Sequence, residues 1–184
     1  MMILAAGVLY HGAFAELDTV DTMKDAMNTN FFSYLQMTKL AIPHLRATSG
    51  TILVISSLLA KTPGPNYSAY CASKFALEGF FNVVRLEEPE IDILSSQPPM
   101  LSGTNFRKNA VTSSQFQQDE NDLLGAKEAA KLIVMAADRK IITYVFPTLT
   151  WLRLLAKRTT ELLAPSLSRR ITVDPSLGLP RHKL

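Results

Sequence analysis

Three residues within the stretch Ser56 to Lys74 have the types and spacing to do chemistry: Ser57, Tyr70 and Lys74. Tyr70 and Lys74 are four apart, so a helix puts both side chains on one face, one turn from each other. A free phenol, with a pKa of about 10, is a poor acid or base at neutral pH. A nearby ammonium favours the phenolate and lowers that value, toward the working pH that general acid–base catalysis prefers. A serine hydroxyl can hydrogen-bond a carbonyl or alkoxide oxygen and hold it toward the tyrosine. Such a trio is expected to move a proton in carbonyl–alcohol interconversion, with the hydride coming from a cofactor. Taken alone, a Tyr-x-x-x-Lys pair also describes a surface lysine beside a half-buried tyrosine on an amphipathic helix.

The surrounding residues say how the trio is positioned. Thr51-Ile-Leu-Val-Ile55 is β-branched and predicts a buried strand, so Ser57 falls where a strand ends. Pro63-Gly64-Pro65 predicts a loop. Ala69 to Leu86 then predicts a helix whose apolar stripe is Phe75, Leu77, Phe80, Phe81, Val84 and Leu86, a core face or a helix–helix interface. Pro89 within Glu87-Glu-Pro-Glu90 stops it.

These motifs resemble the short-chain dehydrogenase/reductase family. Gly50 to Ser57 is similar to that family's active-site strand, and Tyr70-Cys-Ala-Ser-Lys74-Phe-Ala-Leu-Glu-Gly79 to its tyrosine–lysine helix. Asn28-Thr-Asn30-Phe, followed by Thr38 to Leu45, resembles the helix that carries a fourth catalytic residue. Ser57-Leu-Leu-Ala and Phe75-Ala-Leu-Glu-Gly-Phe-Phe81 are most similar to the 11-beta-hydroxysteroid dehydrogenase branch. The resemblance covers residues 1–110 well and the rest loosely.

It implies an α/β fold: the C-terminal part of a Rossmann-like doubly wound parallel sheet, over residues 1–146, with the first βαβ units missing. No G-x-x-x-G-x-G or G-x-G-x-x-G occurs in the chain. The expectation is therefore a truncated product: a fragment, a short isoform or a mis-called gene start. By the same resemblance Tyr70 is the general acid/base, Lys74 lowers its pKa and holds the nicotinamide ribose, and Ser57 orients the carbonyl. The backbone of Asn30, at a local kink, holds a water that relays protons to Lys74. Substrate contacts fall to Ser57 and Tyr70, and cofactor contacts to Gly7, Tyr70, Lys74 and Thr104. Ile3-Leu-Ala-Ala-Gly7 stands where the family has Asn-Asn-Ala-Gly, with only Ala6 and Gly7 matching; Met100 replaces a glycine in the family's Pro-Gly-x-x-x-Thr. The implied cofactor is NADP or NAD, with NADP favoured. The implied substrate is a small hydrophobic alcohol or ketone, steroid-like or lipid-like, and the full-length form is expected to be a homodimer. The alternative is an inactive truncated chain serving only as a dimerising module.

Composition sets the remaining bounds. The 184 residues predict one domain large enough for a sizeable core. A net charge of +3 without a Lys/Arg block gives nucleic-acid binding no support. The single cysteine, Cys71, excludes an internal disulfide and reads as a small packing residue. No metal-ligand cluster is present in the sequence. Met1 to Leu9 is apolar, too short for a secretory signal, and predicts a core strand. Glu16 to Thr19 predicts a loop, with Asp21 or Thr22 capping a helix that runs through Met27, Phe31, Tyr34, Leu35, Thr38, Leu40, Ala41 and Leu45. His44 caps its last turn.

Ile91 to Leu94 predicts a short strand, 106–119 a mobile polar segment over the substrate cleft, Ala126 to Ala137 a helix, and Ile141 to Phe146 a last strand. Residues 147–184 are expected to form a helical extension and tail. Between Pro147 and Ile171, Leu residues, Trp151, Arg153, Lys157, Arg158, Arg169 and Arg170 fit either an amphipathic helix on a membrane surface or one packed on a neighbour. The compartment is left open between the endoplasmic reticulum membrane and the cytoplasm. Asn66-Tyr-Ser68 is an N-glycosylation sequon between Ser57 and Tyr70. A glycan there would crowd the proposed site. An active form is therefore expected to face the cytosol or to leave Asn66 unmodified, which the mass of active protein checks.

Overall fold

A run of β-branched and apolar residues that is buried on both faces can only be the inside of a sheet. Thr51–Ile55 (β3) is that run: Ile52, Leu53 and Val54 are all buried. A computed structural model describes residues 1–16, 19–106, 110–112 and 123–145, all within one compact unit, Met1–Phe146. In it β3 pairs in parallel with Met2–Leu4 (β1) on one side and with Asp92–Gln97 (β4) on the other. Thr143–Val145 (β8) adds to the far edge of β4, again parallel, giving the order β1-β3-β4-β8. Two two-residue ladders lie outside this sheet: Tyr10–His11 (β2) pairs with Val111–Thr112 (β6), and Leu101–Ser102 (β5) with Leu124–Gly125 (β7).

Alternation along the strands sorts the core into two faces. Leu4, Ile52, Val54 and Ile93 pack against Tyr34 and Leu45 of helix α2 (Ser33–Arg46) and against Leu77, Phe81 and Val84 of helix α3 (Ser68–Glu87). Leu53 and Leu94 turn the other way, onto Ala137 and Ile133 of helix α4 (Ala126–Asp138). Each large side chain fully buried here contributes about 1.5–3 kcal/mol. Helix α2 ends beside the end of α3, where Arg46 makes two 2.7 Å bonds to the Glu88 carboxylate.

The single helix expected from Met23 to Leu45 is instead α1 (Asp21–Met27), a π turn (Asn28–Phe32) and α2. Ala26, Asn30, Tyr34 and Thr38 recur every fourth residue and are all buried. A regular helix of 3.6 residues per turn would carry such a series round its axis; the wider π turn restores the alignment. The cap also differs. The N-cap position is Val20, without a side-chain cap bond, and Thr19 Oγ1, two residues before Asp21, accepts the Asp21 N–H at 3.0 Å. Leu40, expected to be in the stripe, is exposed, as are Phe75 and Leu86 on α3.

Other boundaries move. The strand expected over Met1–Leu9 stops at Leu4, because the Asn30 side chain takes both backbone groups of Val8 away from any ladder. β4 runs on to Gln97, three residues past the expected end, and β8 is shorter than Ile141–Phe146. Within the expected mobile segment, Phe106 packs on Tyr70 and Val111–Thr112 pairs with β2; 107–109 and 113–119 lie outside the described residues. So do 17–18 and the whole extension, 147–184, with its amphipathic stretch. No helix among the described residues is long and apolar enough to cross a membrane.

Candidate active site

The carboxyl end of β3 and one face of α3 bring the three chemical residues together. Ser57 follows β3 with extended backbone (φ −160°, ψ 153°) and caps a short 3-10 turn, Leu58–Ala60, its Oγ accepting the Leu59 N–H at 3.2 Å. The same hydroxyl faces the Tyr70 phenol and favours its ionised form. Lys74 reaches back from α3 to donate to the Ile55 carbonyl at 3.2 Å. Its Nζ lies 5.8 Å from the centre of the Tyr70 ring and 5.7 Å from that of Tyr34. Tyr70 and Lys74 are only 5% and 3% exposed, so neither side chain is a solvated surface group.

Asn30 holds the floor of the site. It is fully buried; its Oδ1 accepts the Val8 N–H at 2.8 Å, and its Nδ2 donates to the Val8 carbonyl and to Ser73 Oγ, both at 3.0 Å. Ser73 Oγ in turn donates to the Tyr70 carbonyl at 2.7 Å. One amide therefore ties the loop after β1 to the helix that carries Tyr70 and Lys74. Unpairing either Val8 group would cost about 1–3 kcal/mol.

Gly7 is where that loop comes nearest the site. A side-chain carbon placed there would meet Asn30 Oδ1 at 3.3 Å, Phe106 at 3.6 Å and Lys74 Nζ at 4.0 Å. Only glycine leaves this space open, and the space is bordered by the Lys74 ammonium. Tyr34 fixes the loop from below by donating its hydroxyl to the Ala6 carbonyl at 2.5 Å. Phe106 stands edge-on to Tyr70, with ring centres 6.1 Å apart. Thr104 lies in the loop after β5, two residues before Phe106, following Gly103 in its left-handed conformation (φ 71°). Asn66 is exposed beside this mouth, at φ 66°, with Tyr67 edge-on to His11 at 4.8 Å.

The electrostatics correct one sequence expectation. The Tyr70 phenol is pushed up to about 12 rather than down. Burial is the larger effect, and the Ser57 hydroxyl only partly opposes it. The ammonium of Lys74 is turned toward the Ile55 carbonyl, while burial lowers it to about 8 and the Glu78 carboxylate supports it. As arranged, Tyr70 keeps its proton at neutral pH, the form that can donate to an oxygen.

Sequence reasoning passed over four residues that shape this site: Tyr34, counted as core; Phe106, assigned to a mobile segment; Ser73; and Glu78. The last is buried one turn beyond Lys74. That i,i+4 spacing was the available signal; Tyr34 and Phe106 gave none, because their roles depend on contacts distant in sequence. Among the described residues no group of three or more His, Cys, Asp or Glu side chains could hold a metal.

This geometry sits in a chain whose residues 1–115 match the family model for short chain dehydrogenases. The chain belongs to the short-chain dehydrogenase/reductase family, whose members are oxidoreductases. It is 32% identical over 182 residues to dehydrogenase/reductase SDR family member 7B of Rattus norvegicus, covering 92% of this chain and 56% of that protein. It is 31% identical over 150 residues to 11-beta-hydroxysteroid dehydrogenase A of Sesamum indicum, covering 73% and 41%. The chain thus spans about half the length of these curated relatives. Among solved structures it resembles a short-chain dehydrogenase from Streptomyces avermitilis, with a TM-score of 0.73, 24% identity and coverage of 92% and 70%. It also resembles one from Sphingobium yanoikuyae in complex with NADPH, with a TM-score of 0.69, 18% identity and coverage of 94% and 67%. These likenesses fix the fold as the Rossmann-like parallel α/β sheet expected from the motifs.

Proposed function

We propose that this chain carries the catalytic half of an NAD(P)-dependent oxidoreductase that interconverts a hydroxyl and a carbonyl on a hydrophobic, steroid-like or lipid-like substrate. The observation that carries this reading is the convergence of Ser57, Tyr70 and Lys74 at the end of β3 beside the open space at Gly7. The names of the curated relatives, among them 11-beta-hydroxysteroid dehydrogenases, support the substrate class. The aromatic border of Phe106, Tyr67 and His11 suits an apolar molecule.

In reduction Ser57 holds the carbonyl oxygen toward Tyr70, and the phenol gives that oxygen its proton. The phenolate left behind is stabilised by the Lys74 ammonium, and a proton returns through water relayed at the Asn30 backbone. In oxidation the same residues work in reverse. The space at Gly7 would take the nicotinamide ribose, which Tyr70 and Lys74 would hold, and Thr104 would meet the nicotinamide end. Bound there, NADP or NAD supplies or accepts the hydride, NADP being favoured by its presence in solved neighbours.

A second reading, a module that pairs with its own copy, draws support from the exposed stripe Phe75, Val83 and Leu86 on α3, which is 42%, 53% and 81% exposed. The two readings are compatible in a dimeric enzyme. Ser57→Ala tests the catalytic reading. In a form of the protein that reduces a hydrophobic ketone, it is expected to lower kcat about 10²–10³-fold, as loss of an oxyanion donor does. Unchanged kcat with an intact fold would remove Ser57 from the chemistry.

A further inference from the structure

The chemistry proposed above leaves a buried charge beside Lys74, on its own helix, without a task. Glu78 is 6% exposed and sits on α3 one turn beyond Lys74. Ser95 Oγ donates to its Oε1 at 2.6 Å, and Gln97 Nε2 donates to the same oxygen at 2.9 Å. Lys61 Nζ lies 3.1 Å from Oε2. The buried Ser56 hydroxyl faces the same carboxylate without a fully formed hydrogen bond. An isolated buried carboxylate is costly, yet these partners hold Glu78 below the usual carboxylate range against the opposing effect of burial.

The partners are not scattered. Lys61 closes the 3-10 turn Leu58–Ala60, and Ser57 opens it. Ser95 and Gln97 lie on β4, next to β3. A single carboxylate thus joins the helix bearing Tyr70 and Lys74 to the far end of the turn that begins with Ser57.

We propose that Glu78 is a positioning residue: it clasps the Ser57 turn to helix α3 and supplies the fixed negative charge that keeps Lys74 an ammonium. This role matters to catalysis only if Ser57, Tyr70 and Lys74 do the chemistry described above, but the clasp and the charge can each be read without turnover.

The groups facing Lys74 are few. Tyr70 and Glu78 come from its own helix, the Tyr34 ring from α2, Asn30 from the π turn and the Ile55 carbonyl from β3. Lys61 and Arg85 also act on Glu78. Burial lowers Lys74 to about 8 from an ordinary 10.5, and Glu78 is the named charge that opposes the fall. Between those two values the unfolded chain binds more protons than the folded one, so stability rises with pH across that window. Removing the Glu78 charge extends the window to lower pH.

The test compares wild type, Glu78→Gln, Glu78→Asp and Lys61→Met, all in the 184-residue chain. The first readout is hydrogen exchange at Leu59, Ala60, Lys61 and Thr62, whose amides bond within the turn, against Ile52 to Val54 of β3 as the internal reference. The second is the titration of the Lys74 side chain by NMR. Glu78→Gln is expected to speed exchange in the turn about tenfold or more without speeding the strand, and to lower the Lys74 midpoint by about one unit. Lys61→Met is expected to open the turn while leaving the Lys74 midpoint where it was or higher. Glu78→Asp keeps the charge and is expected to restore most of the Lys74 midpoint. Should Glu78→Gln not fold, Lys61→Met and Glu78→Asp still decide the matter. Wild-type exchange in the turn of Lys61→Met, equal acceleration of turn and strand, or an unmoved Lys74 midpoint in Glu78→Gln would each overturn the proposal. A failure of the catalytic reading would show elsewhere, as turnover that survives Tyr70→Phe.

Discussion

The 184-residue chain by itself is expected to bind neither NADH nor NADPH with useful affinity and to show no dehydrogenase activity, although Asn30, Ser57, Tyr70 and Lys74 are all in place. Dinucleotide folds of this kind rest the pyrophosphate on backbone N–H groups of a glycine-rich turn at a helix N-terminus. Neither spacing of that turn occurs in the sequence. What the site offers is the nicotinamide end: the space at Gly7, the Lys74 ammonium and the Tyr70 phenol. Hydride transfer needs the donor held against the substrate, so a proton-transfer trio without a held dinucleotide is expected to be silent. The sheet adds a second reason. Among the described residues β1 pairs only with β3, and Met1 and Ile3 are 67% and 55% exposed. Such an edge and its apolar flank favour association over an ordered cofactor site. Calorimetric or fluorescence titration of both cofactors checks this; micromolar binding of either, or steady turnover of a ketone, would contradict it.

Much of the site was legible because its logic is local. Ser57 follows a β-branched run that could only be an inner strand, and the four-residue spacing of Tyr70 and Lys74 placed them on one helical face. The helix observed, Ser68–Glu87, extends the expected one by a single residue at each end. Asn30 was singled out as a mid-helix asparagine, and it is bonded at every polar atom of its side chain.

What depended on distant contacts was not legible. The spacing of Tyr70 and Lys74 suggested a lowered phenol pKa, but helical neighbours in sequence do not report burial. Packing of the two side chains inside the fold seals the phenol, and burial then outweighs the charge. The π turn was missed because periodicity was matched to a regular helix, although the strict four-residue recurrence of Ala26, Asn30, Tyr34 and Thr38 carried the signal. Met1 to Leu9 looked like one strand because apolar content does not show that an amide from another helix will take up the backbone of Val8.

The central claim is that the Tyr70 phenol is the group that moves the proton. Tyr70→Phe deletes one hydroxyl and keeps the ring, which packs against Phe106. The loss includes the polar contact with Ser57, so a modest fall in stability is expected, on the order of 1 kcal/mol or less. General acid catalysis contributes about 10²–10⁴-fold, and the variant is expected to lose at least that much of kcat. The phenol stays protonated until about pH 12 in the arrangement seen here, so reduction should not lose its proton donor at neutral pH. The decisive measurement is kcat for reduction of a hydrophobic ketone by Tyr70→Phe. It is made beside wild type in a chain joined in frame behind the nucleotide-binding N-terminal region of a relative, with the fold of each checked by circular dichroism. Wild type is expected to turn over, and the variant to be folded, to bind cofactor and to be silent. A folded Tyr70→Phe protein with unchanged kcat would contradict it.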